Sequence, residues 1–206
     1  EFAVDLTKDQ NGNASLYLLQ VKPLVGKGAI YNIDPGNIEK SGMILFTTKS
    51  MGNGMIEDIS DVIFVEPEKF DNTLTERMAD EIDMMNDRML KKNRKYILIG
   101  PGRWGSRDKF IGIPVAWPQI SNARVIVEVS LPGFPLDASL GSHFFHNVTS
   151  RNVGYFSIPH TSIESVIDWE KLRRQKVIEK GDFFMHVRFS KPLFVGMDGK
   201  KSIAII

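Results

Sequence analysis

Phe2, Val4 and Leu6 alternate with smaller or polar residues, a period of two that predicts a strand. The polar tract Lys8-Asp9-Gln10-Asn11-Gly12-Asn13 predicts a turn, and Ser15–Val21 predicts a second strand that Pro23 stops. The two strands read as a hairpin. Gly26-Lys27-Gly28 after it reads as a linker, so residues 1–25 are expected to stand apart from a domain over 26–206. Apolar runs at Met43–Thr47 and Val62–Val65 predict strands, separated by a flexible, solvent-exposed stretch, Ser50-Met51-Gly52-Asn53-Gly54.

The clearest helical pattern starts at Thr73, three residues before Glu76 in capping-box spacing. Leu74, Met78, Ile82, Met85 and Met89 then recur at helical intervals and mark one apolar face, read as core packing. Lys95–Ile99, Arg124–Val129 and Gly154–Ile158 predict strands, and Ser162 to about Arg174 a second main helix. Gly141–Val148 predicts a short helix capped by Ser142. Phe183–Phe189, Leu193–Gly196 and Ser202–Ile206 predict closing strands, the last pair joined at the turn dipeptide Asp198-Gly199. Strands and helices do not alternate regularly. The pattern therefore predicts an α+β fold: a mixed, largely antiparallel sheet with two main helices, preceded by the N-terminal hairpin.

The chain of 206 residues is 42% hydrophobic and 25% charged, ordinary for a globular protein. No apolar run is long enough to span a bilayer, so no membrane association is expected. Cysteine is absent, which excludes thiolate chemistry and disulfides and fits a reducing, cytoplasmic compartment. The 26 Lys and Arg balance 25 Asp and Glu, and the basic clusters Lys91–Lys95 and Lys171–Arg174 fall at the ends of predicted helices. This argues against a nucleic-acid partner, which calls for a clear basic excess or stripe.

In the predicted hairpin, Glu1 and Gln20 fall near the ends of paired strands, where two oxygens suit one hard cation. Lys22, two residues on, adds a positive charge for a phosphate, and scattered polar residues on a surface hairpin is the plain alternative. The words Glu1-Phe2-Ala3-Val4-Asp5 and Leu16-Tyr17-Leu18-Leu19-Gln20-Val21-Lys22-Pro23 resemble the end of the ATP-grasp-like nucleotide domain of phosphoenolpyruvate synthase and pyruvate phosphate dikinase. The resemblance covers residues 1–23 alone. It implies an excised piece of a larger ATP-dependent phosphotransferase, with ATP and Mg²⁺ as cofactors. Glu1 and Gln20 are the implied metal and phosphate contacts, joined by Lys22 where the family usually has Arg. A Lys keeps the charge but loses the bidentate fork. The family's phosphocarrier histidine setting and its barrel cysteine are absent, so transfer to pyruvate by this chain alone is not expected.

The other unusual feature is Gly100-Pro101-Gly102-Arg103-Trp104-Gly105-Ser106-Arg107-Asp108, where a strand runs into glycines. Such a loop brings backbone N–H groups close to an anion. Gly102, Arg103, Gly105, Ser106 and Arg107 are thus anion-binding candidates, with Trp104 available for stacking. It lacks the Gly-Lys-Ser/Thr ending of a Walker A loop. The alternative is a tight structural turn with Trp104 in the core. A similar Gly-Pro-Gly-Arg-Trp-Gly-Ser phrase occurs in C-terminal regions of large phosphoenolpyruvate-synthase-like proteins. His143 and His146 are three apart, near Asp137 and Asn147, and read either as packing residues or as metal ligands, with His143 also a candidate acid–base. His160 and His186 look isolated at strand edges, and Ser50–Gly54 with Glu57, Asp58 and Asp61 reads as a plain solvent-exposed loop or as a mobile loop that approaches a phosphate.

Two functions follow. One is part of a dikinase-like kinase whose hairpin completes the ATP–Mg²⁺ site and whose Arg loop handles a small anionic substrate. The other is a non-catalytic regulatory or assembly domain appended to the nucleotide domain. The hairpin's open edge also favours homo-oligomers.

Overall fold

The computed structural model describes residues 2–19, 31–34, 42–106, 108–134, 151 and 153–206. Its strands are β1 (Phe2–Asp5), β2 (Ser15–Leu18), β3 (Leu45–Thr47), β4 (Ser50–Met51), β5 (Gly54–Val65), β6 (Tyr96–Pro101), β7 (Arg103–Trp104), β8 (Gly112–Ile113), β9 (Ala123–Val129), β10 (Gly154–Ile158), β11 (Val166–Ile167), β12 (Lys176–Lys180), β13 (Phe184–Asp198) and β14 (Ile203–Ile205). Its helices are α1 (Thr75–Lys91) and α2 (Trp169–Arg173). No described helix is long and apolar enough to cross a membrane.

The fold is α+β around a mixed sheet, antiparallel at most of its pairings. Its centre departs from that expectation: β5, β6, β9 and β10 run parallel side by side. They carry the near-continuous apolar runs that strands need when both faces are buried. The connection β5–α1–β6 is a crossover unit that lays α1 over one face. Beyond β5 the order continues through β13, β14, β3 and β11, with β12 also pairing β13; beyond β10 lies β4.

β3 and β4 are neighbours in sequence yet stand at opposite ends of this order. β3 pairs with β14, while β4 pairs with β10. The short bent segment 45–51 therefore serves both edges, and the sheet curls until it meets itself. Ser157 donates its N–H to the Lys49 carbonyl at 2.9 Å, Thr47 Oγ1 donates to the Ser157 carbonyl at 2.6 Å, and Ser50 N–H donates to the Ser202 carbonyl at 3.0 Å. These bonds close the ring.

One apolar cluster draws side chains from β3, β5, β6, β9, β10, β13 and β14, including Leu45, Ile59, Phe64, Ile97, Val127, Phe156, Val187 and Ala204, and forms the interior. Leu172 of α2 joins it, with Trp169 tilted 6.0 Å from Phe64, at the end where β5 terminates. The outer cluster puts Met78, Ile82, Met85 and Met89 of α1 against Ile63, Leu98, Ile126 and Tyr155. The methionine stripe is core, as its spacing predicts.

Several expectations are corrected. The helix begins at Thr75, and Thr73 turns its hydroxyl to Asp71 at 2.6 Å, so no side-chain cap forms. In place of a helix from Ser162, residues 166–167 add an edge strand to β3, and the helix starts only after Asp168 caps it by accepting the Lys171 N–H at 2.9 Å. Ser50–Gly54 is not an exposed loop: Ser50, Gly52 and Gly54 are buried where the ring closes. The two closing strands expected over 183–196 are one long strand, β13, irregular between Arg188 and Leu193.

The hairpin forms as predicted, with Phe2 opposite Leu18 and Val4 opposite Leu16. Residues opposite one another share a face, so Phe2, Val4, Leu16 and Leu18 make one apolar face. That face is open: Phe2 is 69% exposed, and Leu16 and Leu18 are 70% exposed.

The Ser50 hydroxyl is buried and has no hydrogen-bond partner among the described residues. Such a group carries a desolvation cost with no return. Ser50→Ala is therefore expected to raise unfolding stability by about 1 kcal/mol in urea denaturation, where a loss of that size would show a hidden partner.

Candidate functional site

Ligand sites in sheets with parallel strands favour the carboxyl ends of those strands, and the Gly100–Asp108 turn leaves β6 at that end. β7 doubles back to pair with β8. Gly102 sits at φ +78°, and a Cβ there would approach the Phe134 ring to 2.8 Å and Gly112 Cα to 2.9 Å. A Cβ on Gly112 would strike the backbone of Arg103. Glycine is needed at these points because two backbones touch.

The turn's amides are consumed inside the protein. Gly102 N–H donates to Val129 at 3.0 Å, Arg103 N–H to Ile111 at 3.1 Å and Gly105 N–H to Ile113 at 2.9 Å, each at the carbonyl. Trp104 N–H donates to Glu128 Oε1 at 3.0 Å. The expected anion cradle of backbone N–H groups is therefore corrected, since none of these four amides points free. Trp104 is 1% exposed, its Nε1 donating to the Val127 carbonyl at 3.2 Å, so it stacks on no ligand. Buried Glu128 also accepts the Tyr155 hydroxyl, which locks β7 onto β9 and β10. Of the side chains proposed for anion binding, Arg103 is half-buried and Ser106 Oγ accepts the Asp108 N–H at 3.1 Å. Arg107 lies outside the described residues, as do Glu1, Gln20, Lys22, Asp137, His143, His146 and Asn147.

Beside this turn, Pro67–Asn72 and Leu131–Phe134 line an open groove of about 580 Å³. The Phe70 and Phe134 rings stand 4.9 Å apart within it. Its carboxylates are already engaged: Glu68 accepts from Arg173 at 2.7 Å, and Asp71 accepts from Thr73. Hydrogen bonding in each case holds the carboxyl below its ordinary pKa. Among the described residues no group of three or more His, Asp or Glu is placed to hold a metal ion.

The most concentrated polar chemistry lies at the opposite ends of the parallel strands, and it gathers residues that look unrelated in sequence. Asp61 is fully buried on β5. Its Oδ1 meets His186 Nε2 at 2.8 Å and accepts from Arg188 Nε at 2.8 Å. Its Oδ2 accepts from Arg94 Nε at 2.7 Å and makes an ion pair with Arg94 Nη2 at 2.6 Å. Burial alone pushes this carboxyl's pKa up, but the hydrogen bonds from His186, Arg188 and Arg94 outweigh it and hold the group at about 2. Asp61 is thus no exposed loop residue, and His186 is not isolated at a strand edge: it is buried on β13 with Asp61 as its partner. His160 is exposed in a turn. The signal that sequence offers for this cluster is faint, a carboxylate placed directly before the apolar run 62–65.

Comparison of the chain with models of protein families, with curated proteins and with solved structures finds no match.

Because two backbones touch at the turn, Gly112→Ala is expected to cost about 3 kcal/mol in urea unfolding, through forced displacement of β7; a variant as stable as its parent would show that the turn relaxes freely. The Asp61 carboxyl has a depressed pKa in the folded state, so its stabilisation is present above the unfolded value of about 4 and is lost as pH falls toward about 2. The stability gap between the parent and Asp61→Asn is accordingly expected to shrink by on the order of 2 kcal/mol from pH 5 to pH 2, followed by denaturant unfolding at each pH. A gap independent of pH would show that the carboxylate is not the charged partner.

Proposed function

We propose that the chain is the C-terminal part of an ATP-dependent phosphotransferase of the phosphoenolpyruvate synthase or pyruvate phosphate dikinase type. In this reading the hairpin belongs to the nucleotide site and the closed barrel is an assembly or regulatory domain that holds it in place. The observation that carries the reading is the contrast between the two parts. The barrel buries its apolar residues in an interior and under α1. The hairpin leaves the face of Phe2, Val4, Leu16 and Leu18 open to water. A two-stranded ribbon with a bare apolar face is marginal alone and calls for further sheet or helix against it. That is the condition of a final hairpin belonging to a larger nucleotide domain, and it agrees with the words that resemble one.

In this proposal Glu1 and Gln20 give oxygen ligands to Mg²⁺, and Lys22 offers an ammonium to the ATP phosphates. The chain alone transfers no phosphate. The barrel's non-chemical role is favoured by the consumed amides of Gly102, Arg103, Trp104 and Gly105.

The test uses the full-length polypeptide, in which Glu1→Gln and Lys22→Ala are each expected to weaken Mg²⁺–ATP binding about tenfold by calorimetry, the loss of one charged contact. Arg103→Ala is expected to leave that affinity unchanged. Equal ATP affinity in all three variants and the parent would sink the assignment of the hairpin.

A further inference from the structure

The Asp61 cluster holds more positive charge than one carboxylate explains. On the face covered by α1, Lys176 of β12 stands directly opposite Arg188 of β13, and Arg188 directly opposite Asp61 of β5. Arg94, at the entry to β6, reaches the same carboxylate from the other side. One buried anion therefore meets two guanidinium groups, with Lys176 one strand farther on. The nearest other carboxylate along β12, Glu179, is already bonded to Arg88 at 2.7 Å. Like charges directly opposite on neighbouring strands repel. His186, Arg188 and Arg94 together make two contacts to each Asp61 oxygen, which meets the carboxylate's own needs.

The way the arginines are held decides what they can do. Each guanidinium has five N–H donors. Arg188 uses only Nε on Asp61, and Arg94 only Nε and Nη2. The Nη groups of Arg188, Nη1 of Arg94 and the Lys176 ammonium donate to no described residue. The arginine side chains are 31% and 38% exposed, so those donors are open to water. Asp61 itself has no capacity left for a cation, since both its oxygens are occupied. It works as a strut that fixes the two forks on either side of one carboxylate and removes the ordering cost of holding them there. Planar forks with free N–H edges, next to a point charge, suit the tetrahedral oxygens of a phosphate.

We propose that this face, at the C-terminal foot of α1, is a binding site for a phosphate group, free or carried on a small molecule. Arg94 and Arg188 supply the forked contacts and Lys176 a third charge. Asp61 and His186 position the arginines without touching the ligand. The site is independent of the hairpin and of ATP, so its fate does not depend on the reading of the chain as part of a phosphotransferase.

The test is a titration followed by the arginine Nε–Hε cross-peaks in ¹H–¹⁵N NMR, at constant ionic strength set with chloride. Inorganic phosphate and phenyl phosphate are the two probes, and the tighter one tells a free anion from an esterified one. Saturable shifts of the Arg94 and Arg188 peaks are expected with at least one probe. Arg188→Gln is expected to weaken binding about tenfold, as a lost charged hydrogen-bond donor does. Lys176→Gln, which touches none of the bonds to Asp61 and so leaves the fold intact, is expected to weaken it about threefold, as a lost partly screened charge does. Peaks that move no more with either probe than with chloride, or Lys176→Gln and Arg188→Gln variants that bind as the parent does, overturn the proposal.

Discussion

Everything in this structure depends on one short bent segment, residues 45–51, serving both edges of the sheet. An open sheet of this size would expose two rows of unpaired N–H and C=O groups, a liability natural proteins cover or close. Here β14 takes one side of the segment and β10 the other. Closure creates an inside, and the inside accounts for the apolar alternation of the surrounding strands and for α2 reaching in with Leu172. It also fixes where α1 lies: a helix between two adjacent parallel strands of a closed ring has only the outer face to cover. The hairpin lacks any such closure, which is why its apolar residues stand apart as a feature to be explained.

What was legible in the sequence follows the range of the forces involved. The α1 stripe of Met78, Ile82, Met85 and Met89 repeats with the helical period, and the parallel strands are short apolar runs bounded by polar residues. Both signals are local. The helix starts later than its capping-box spacing predicts because the Thr73 hydroxyl has a competing acceptor two residues back, at Asp71. The sequence predicts helix at β11 because two apolar residues in a polar stretch carry no period, and only the edge of β3 makes them a strand. β12 went unseen for a related reason. Its Lys176-Val177-Ile178-Glu179-Lys180 composition is ordinary for a half-exposed outer strand and for a helix end alike.

The candidate sites divide in the same way. The glycine turn was found in the sequence, but its chemistry was not, because the acceptors that consume its amides come from β9 and from residues 111–113. A Gly-rich loop announces close backbone approach without saying whether the approaching backbone is a ligand's neighbour or its own. The Asp61 cluster was invisible because Asp61, Arg94, His186 and Arg188 come from β5, the entry to β6 and β13, and no spacing links them. Buried ion clusters of this sort cost desolvation unless every lone pair is met. Asp61 meets that condition and leaves donors over, a surplus that no local pattern of residues can announce.

The ring closure has a kinetic side as well. Thr47 pairs with Ala204, and Phe46 with Ile205, so strand β3 finds its partner only after almost all the intervening chain has been made. During synthesis on the ribosome, β5, α1, β6 and β9 can associate as they emerge, whereas β3 waits for β11 on one side and for β14 on the other. Contacts of such long sequence separation slow folding and lengthen the time that strand edges stay exposed. The buried glycines and the narrow bend at Ser50–Gly54 then become the last stitch of the fold. A nascent chain stalled before β14 would hold a nearly complete barrel with one slot unfilled, the state in which a chaperone or a second nascent copy would meet it.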